Sequence, residues 1–161
     1  SGLLRQSPGR GDLYGVRPLR LRVYWPLVLA ASVAMAATGA GAAELTVEVL
    51  GLRSGDGLVH FGLYDNSDTF PDKDGRLDGT EVPITEGRAV SVFKELKPGR
   101  YAVAVFHDEN ANGEFDQGLF GLPLEDYGFS NKAVVFFSAP AFDNAAVTVP
   151  EKGLNISIRL D

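Results

Sequence analysis

Cysteine is missing from this sequence altogether. That excludes disulfide staples, thiolate metal sites, cysteine nucleophiles and lipid attachment at a lipoprotein cysteine. Histidine is nearly missing: His60 and His107 are the only two, a poor basis for the histidine-led ligand sets that zinc favours. No phosphate-cradling glycine loop is present either, because the glycines of Gly118-Leu119-Phe120-Gly121-Leu122-Pro123 are not followed by the helix such a loop opens. Basic residues are few, with 15 Lys+Arg against 21 Asp+Glu. The imbalance grows when the chain is divided. Residues 1–43 hold five of the bases (Arg5, Arg10, Arg17, Arg20, Arg22) and one acid, Asp12, so residues 44–161 set 10 bases against 20 acids, a formal charge of −10. Such a body repels nucleic-acid phosphates and anionic lipid and attracts cations.

The basic residues of the N-terminal part have an order. Arg17, Arg20 and Arg22 precede an uncharged stretch, Val23 to Ala43, whose most hydrophobic part is Leu27 to Ala37; small residues, Thr38 to Ala43, lead to the acidic Glu44. Basic, then apolar, then small is the order a signal peptidase reads. Residues 1–43 are therefore expected to be an N-terminal extension and secretory signal peptide, cut near Ala42 or Ala43, that delivers the protein to the periplasm or beyond. An uncleaved anchor is the competing reading, since about 20 residues span a bilayer. Against it, the second half of the stretch is weakly hydrophobic Ala and Gly, and Pro26 interrupts its start. No membrane insertion is expected once the leader is gone.

Residues 44–161 fit one domain, and their dominant period is two, the signature of half-buried strands. Leu45, Val47 and Val49 alternate with Thr46 and Glu48, and Val59, Phe61 and Leu63 with His60 and Gly62; these read as a first pair of strands. Val90 and Val92 flank Ser91. Pro98-Gly99 marks a tight turn, and Tyr101 to Phe106, apolar on both faces, reads as a central strand. Leu154, Ile156, Ile158 and Leu160 alternate with Asn155, Ser157 and Arg159, and a strand at Ala145 to Val149 is expected to pair with them across Pro150 to Gly153. Val82 to Ile84 and Val134 to Phe137 are weaker candidates, and no helix is indicated. About seven strands predict an all-β antiparallel sandwich, with a closed barrel as the other possibility.

Chemistry concentrates after the central strand, in His107-Asp108-Glu109-Asn110-Ala111-Asn112-Gly113-Glu114-Phe115-Asp116. Oxygen side chains at Asp108, Asn110 and Asn112 recur at every second position, Gly113 allows the sharp turn, the carbonyl of Glu114 and the carboxylate of Asp116 follow, and Phe115 can anchor the loop. That spacing aims hard oxygens at one point, as calcium loops do. The twelfth position is Leu119 instead of a bidentate Glu, so a further ligand must come from elsewhere, with Glu125, Asp126 or water as candidates. Few charged ligands imply weak binding, on the order of 10⁻⁴ to 10⁻³ M, a site filled only outside the cytoplasm. A turn built from Asn and Gly with no ion is the simpler alternative. The acidic stretch Asp65 to Asp78 reads as a solvated loop unless the fold brings it to the first site.

Catalytic groups are sparse. A nucleophile, base and orienter would have to come from His107, Ser130 and one of many acids, and nothing in the spacing joins them. Tyr127-Gly128-Phe129-Ser130-Asn131 is an aromatic loop that either faces a ligand or packs over the end of a sandwich.

The run Pro98-Gly99-Arg100-Tyr101-Ala102-Val103-Ala104-Val105-Phe106-His107-Asp108-Glu109-Asn110-Ala111-Asn112-Gly113, with Gly121-Leu122-Pro123 and Tyr127 to Asn131, resembles the exported bacterial proteins grouped as domain-of-unknown-function family 2141. The resemblance spans Leu45 to Leu160 and implies export and a single domain. The Pro-Gly-x-Tyr-x-Val stretch is also similar to immunoglobulin-like, transthyretin-like and collagen-adhesin B-type sandwiches. Hydroxyisourate hydrolases share the transthyretin-like fold, but their C-terminal Tyr-Arg-Gly-Ser is replaced here by Ile158-Arg159-Leu160-Asp161. The expectation is a monomeric, non-enzymatic envelope module with an envelope protein or glycan as partner and Ca2+ on Asp108, Asn110, Asn112, Glu114 and Asp116. The alternative is a small-ligand protein or hydrolase using His107 and residues 127–131.

Overall fold

A computed structural model describes residues 42–135 and 138–160. The expected leader lies outside them except for its last two residues. Eight strands follow in order: β1 (Ala43–Leu50), β2 (Leu58–Tyr64), β3 (Asp78–Pro83), β4 (Ala89–Leu96), β5 (Gly99–Asp108), β6 (Tyr127–Phe129), β7 (Val147–Val149) and β8 (Leu154–Arg159). A four-residue helix, α1 (Phe142–Ala145), precedes β7, where no helix was expected.

The strands form two sheets, one ordered β4-β1-β8 and the other β3-β2-β5-β6, with β7 on β5. The sandwich reading is correct, and neither sheet closes into a barrel. Partners differ from expectation in two places. β1 and β2 do not pair, and the chain between them passes from one sheet to the other; likewise β7 pairs with β5 while β8 runs parallel to β1. Alternation of residue type assigns a strand's faces but carries no information about its neighbour.

Between the sheets, Leu45, Val47 and Val49 from β1 meet Phe61 and Leu63 from β2 and Val103 and Val105 from β5, all essentially inaccessible to water. Each such side chain contributes about 1.5–3 kcal/mol by leaving water. β4 inverts the obvious pattern. Ala89, Ser91 and Phe93 point inward, while Val90 and Val92 are 43% and 42% exposed opposite Glu48 and Thr46 of β1. Phe93, larger than either valine, sets the register, since a one-residue slip would turn it into solvent. Val134 and Val135 form no strand, and Phe136–Phe137 lie outside the described residues.

The outer face of the larger sheet carries a second apolar cluster. Tyr64, Ala102, Phe129, Phe142 and Ala145 are buried there beneath the loops, with Phe70 edge-on to Tyr64, Phe129 and Phe142. Tyr127 to Phe129, read as an aromatic loop, is in fact the short strand β6 along β5. Ser130 follows it and is buried, accepting from the Val103 amide at 2.8 Å and donating to the Ala145 carbonyl, so its hydroxyl is structural.

One glycine fixes where β5 ends. Gly57 has φ +71°, and a Cβ there would overlap the Asp108 carbonyl. Gly57→Ala is expected to cost about 3 kcal/mol and to lower the urea midpoint without changing the slope; an unchanged midpoint would show that the Asp108 main chain is not held from this side.

Candidate metal centre

The last residue of β5 starts the site. Asp108 falls on the outer face and is fully buried, so its carboxylate must find donors within the protein. Oδ2 accepts from the Gly113 amide at 2.8 Å and from His60 Nε2 at 3.0 Å, and Oδ1 accepts from the Asn112 amide at 3.1 Å. Burial pushes this carboxyl up, but the Gly113 and Asn112 amides and His60 outweigh burial and hold it below the ordinary aspartate range. His60 is itself fixed, with its ring stacked on Phe106 at 4.4 Å and Nδ1 3.5 Å from Glu81.

The loop then coils on its own side chains. Asn110 Oδ1 accepts from the Asn112 amide and Asn112 Oδ1 from the Glu114 amide, at 3.0 and 2.8 Å; each bond closes a turn of the kind Asn favours. Both amide groups also reach inward, with Asn110 Nδ2 2.7 Å and Asn112 Nδ2 3.1 Å from the Asp116 carboxylate. Four of the five expected residues, Asp108, Asn110, Asn112 and Asp116, thus surround one loop interior. The fifth contributes no side chain. The Glu114 carboxylate turns outward to Lys73 at 3.2 Å, which leaves only its carbonyl as a candidate donor.

A hairpin brings back the missing acid. Leu124 N donates to Asp116 O, Gly118 N donates to Leu122 O, and Gln117 bridges Pro123, so the chain doubles back and seats Glu125 beside Asp116. Glu125 Oε2 accepts from the Asp116 amide at 3.0 Å, whereas Oε1 is buried with no partner. Burial pushes its carboxyl above the ordinary range. The Asp116 amide and, more weakly, the Glu109 amide oppose this, while the charges of Asp108 and Asp116 add to it. The other candidate, Asp126, is taken by Arg53 at 2.8 Å. From the acidic stretch 65–78 the group that reaches the loop is Lys73, which donates to the Gly113 carbonyl at 3.1 Å.

The donors available are oxygens only, from three carboxylates, two amides and a carbonyl. Among the described residues no three of His, Asp and Glu converge tightly enough to hold an ion by themselves, so an ion here must also use Asn110 and Asn112. Such a mixed oxygen set fits a hard, loosely coordinated cation. Glu125 Oε1 fits it too, as a buried carboxyl oxygen without a well-formed hydrogen bond.

His107 has no place in this arrangement. Its side chain faces the other side of β5, fully buried, and Nε2 donates to the Asp56 carbonyl at 2.8 Å. The aromatic residues are divided: Phe115 packs edge-on against Phe106 and Tyr127 at 5.4 and 5.6 Å, anchoring the loop to the outer aromatic layer instead of the core between the sheets. The linking role of His60 was missed in the sequence, where it showed only as a polar residue on a strand.

No curated protein and no solved structure matches the chain. A model of the family described as "uncharacterized protein conserved in bacteria (DUF2141)" matches residues 47–157. The chain belongs to this family. The DUF2141 match contains the whole of β2 to β7 and every residue of the loop, from Asp108 to Glu125.

The position of Glu125 has a measurable consequence in this DUF2141 domain. Its folded carboxyl is raised, so the stability linked to its protonation is full below the unfolded glutamate value and is lost as pH rises through the folded one. Glu125→Gln is therefore expected to raise the metal-free melting temperature by a few degrees at pH 8, with the gain gone near pH 4. A variant less stable than wild type at pH 8 would contradict this reading of the cluster.

Proposed function

We propose that the protein is an exported, non-enzymatic β-sandwich module of the bacterial envelope, in which calcium bound by the Asp108–Asp116 loop and Glu125 stiffens one end of the domain for contact with a partner. The observation that carries the calcium reading is Glu125, buried, short of a hydrogen-bond partner at Oε1 and facing two further carboxylates. Three carboxyl groups collected at one place oppose one another's ionisation, and a divalent ion offsets that cost directly. The loop is already curled by its own turns, so little chain has to be ordered on binding.

Export is supported by the sequence of the leader and by the chemistry of the site. Asn at two of the ligand positions keeps affinity low, and a millimolar site fills only where calcium is abundant. Ala43 opens β1 opposite Leu96, so cleavage after Ala42 leaves the strand whole. A partner role in place of catalysis is supported by the composition of the loop, where oxygens are arranged for an ion, and by the Ser130 hydroxyl, which is committed to main-chain groups elsewhere on β5 and at Ala145.

Thermal unfolding in a calcium titration tests this reading. At ten times the dissociation constant a single site stabilises by about 1.4 kcal/mol, a rise of a few degrees, and Asp116→Asn and Glu125→Gln are each expected to reduce or abolish that rise. No shift at about 10 mM calcium, an excess over any affinity in the expected range, would remove the calcium assignment.

A further inference from the structure

The outer face of the larger sheet is hollowed by its own register. Gly79 lies opposite Gly62, Gly62 opposite Ala104, and Ala104 opposite Phe129, so three adjacent strands present almost no side chain at one level. The neighbouring row is tall: Glu81, His60, Phe106 and Tyr127. Tyr64 rises on the other side. Together with the overlying loops these walls enclose a groove of about 710 Å³, within the range of small-molecule sites. At its rim stands the hairpin tip, where Phe120 is 91% exposed at φ 65°, a left-handed conformation that costs an aromatic residue on the order of 1 kcal/mol.

The floor holds a cation. Arg76 lies across the two glycines, so close that a Cβ at Gly62 would sit 2.9 Å from its Cδ and one at Gly79 2.9 Å from Nη1. Its Nε donates to the Lys73 carbonyl at 2.9 Å, which fixes the guanidinium in place. Of the other charged groups that line the groove, Lys73 is paired with Glu114 and His60 is engaged by Asp108 and Glu81, while Asp72 is exposed. Among the described residues no carboxylate forms an ion pair with Arg76, although seven other ion pairs or histidine–acid contacts involve Arg53, His60, Arg88 and Arg100. In a domain with twice as many acids as bases, a fixed guanidinium without an acid is a receptor for an anion from outside.

We infer that this groove binds a small amphipathic carboxylate, with its apolar body against Phe106, Phe115, Tyr127 and Phe129 and its anionic head on the Arg76 guanidinium. The aromatic walls favour the body through burial and edge contacts, and the planar fork of Arg76 favours the head. The anion contact does not rest on the calcium reading, since Arg76 belongs to neither the loop nor Glu125, although Phe115 of the loop lines the groove.

Calorimetric titration of the full chain, in EDTA, with 4-phenylbutyrate, octanoate and the neutral 4-phenylbutanol decides the matter. The better carboxylate is expected to bind at least about tenfold more tightly than the alcohol. Arg76→Gln should bring it to the level of the alcohol and leave the alcohol unchanged, and Ala104→Phe, which fills the floor, should abolish both. Whichever carboxylate is tighter identifies an aromatic or an alkyl body. Equal affinity for acid and alcohol, no binding up to about 10 mM, or carboxylate binding indifferent to Arg76→Gln would each overturn the inference. Should Ala104→Phe not fold, the Arg76→Gln comparison decides alone.

Discussion

A carboxylate sealed from water at the end of the central strand is the constraint on which this domain's functional end depends. Ionised Asp108 cannot be left bare in the interior, and its two oxygens take three donors from two parts of the chain: His60 on β2 and the amides of Asn112 and Gly113. The amides come to it only if the loop curls back within five residues. Gly113 at φ +79° and Ala111 at φ +53° make that curl, so the left-handed angles and the buried charge require each other. The loop is shaped before any ligand is considered.

The same charge ties the loop to the sheet. His60 links Asp108 to Glu81, stacks on Phe106, and through Phe106 continues to Phe115 and Tyr127. That aromatic row forms one wall of the groove on the outer face. Loop and groove are therefore joined through a packed row of side chains, and Lys73 makes a second link by bonding Gly113 and Glu114 from the segment that also carries Arg76. A cation in the loop and an anion in the groove would act on the same wall.

Much of this was readable from residue order, and the failures have a common cause. Period two locates β1, β2, β4 and β8, a run apolar on both faces after Pro98-Gly99 locates β5, and the spacing of Asp108, Asn110, Asn112 and Asp116 gives the loop interior, because all these patterns are local. Pairing is not local: residue order suggests β1 beside β2 and β7 beside β8, yet each pair is split between the sheets. In β4 the alternation of Val90 and Val92 with Ser91 marks a strand but not its inner face, which Phe93 decides. Glu125 stands beside Asp126 and water as a candidate for the further ligand, and only the fold shows that Arg53, distant in sequence, takes Asp126. The groove left no sequence signal at all, since Gly62, Gly79 and Ala104 form a row only after three strands have found their register.

Under the proposed reading, the loop's internal bonds also limit how strongly it can hold an ion. With no ion the Nδ2 groups of Asn110 and Asn112 donate to Asp116 and serve as a weak substitute for positive charge. Their Oδ1 atoms cannot simply be exchanged inward by rotating the amides, because those oxygens close the turns at Asn112 and Glu114. An arriving cation must share Oδ1 through its second lone pair and displace the Nδ2 bonds to Asp116. Two charge-assisted hydrogen bonds, each contributing about 1.5–3 kcal/mol, are then given up against the gain. Glu125 differs because its Oε1 makes no well-formed hydrogen bond, with the Glu109 amide as a weak competitor, so less has to be surrendered there than at the asparagines. Under the proposed reading, the asparagines therefore set the shape and the weakness of the site, and Glu125 supplies most of its net attraction.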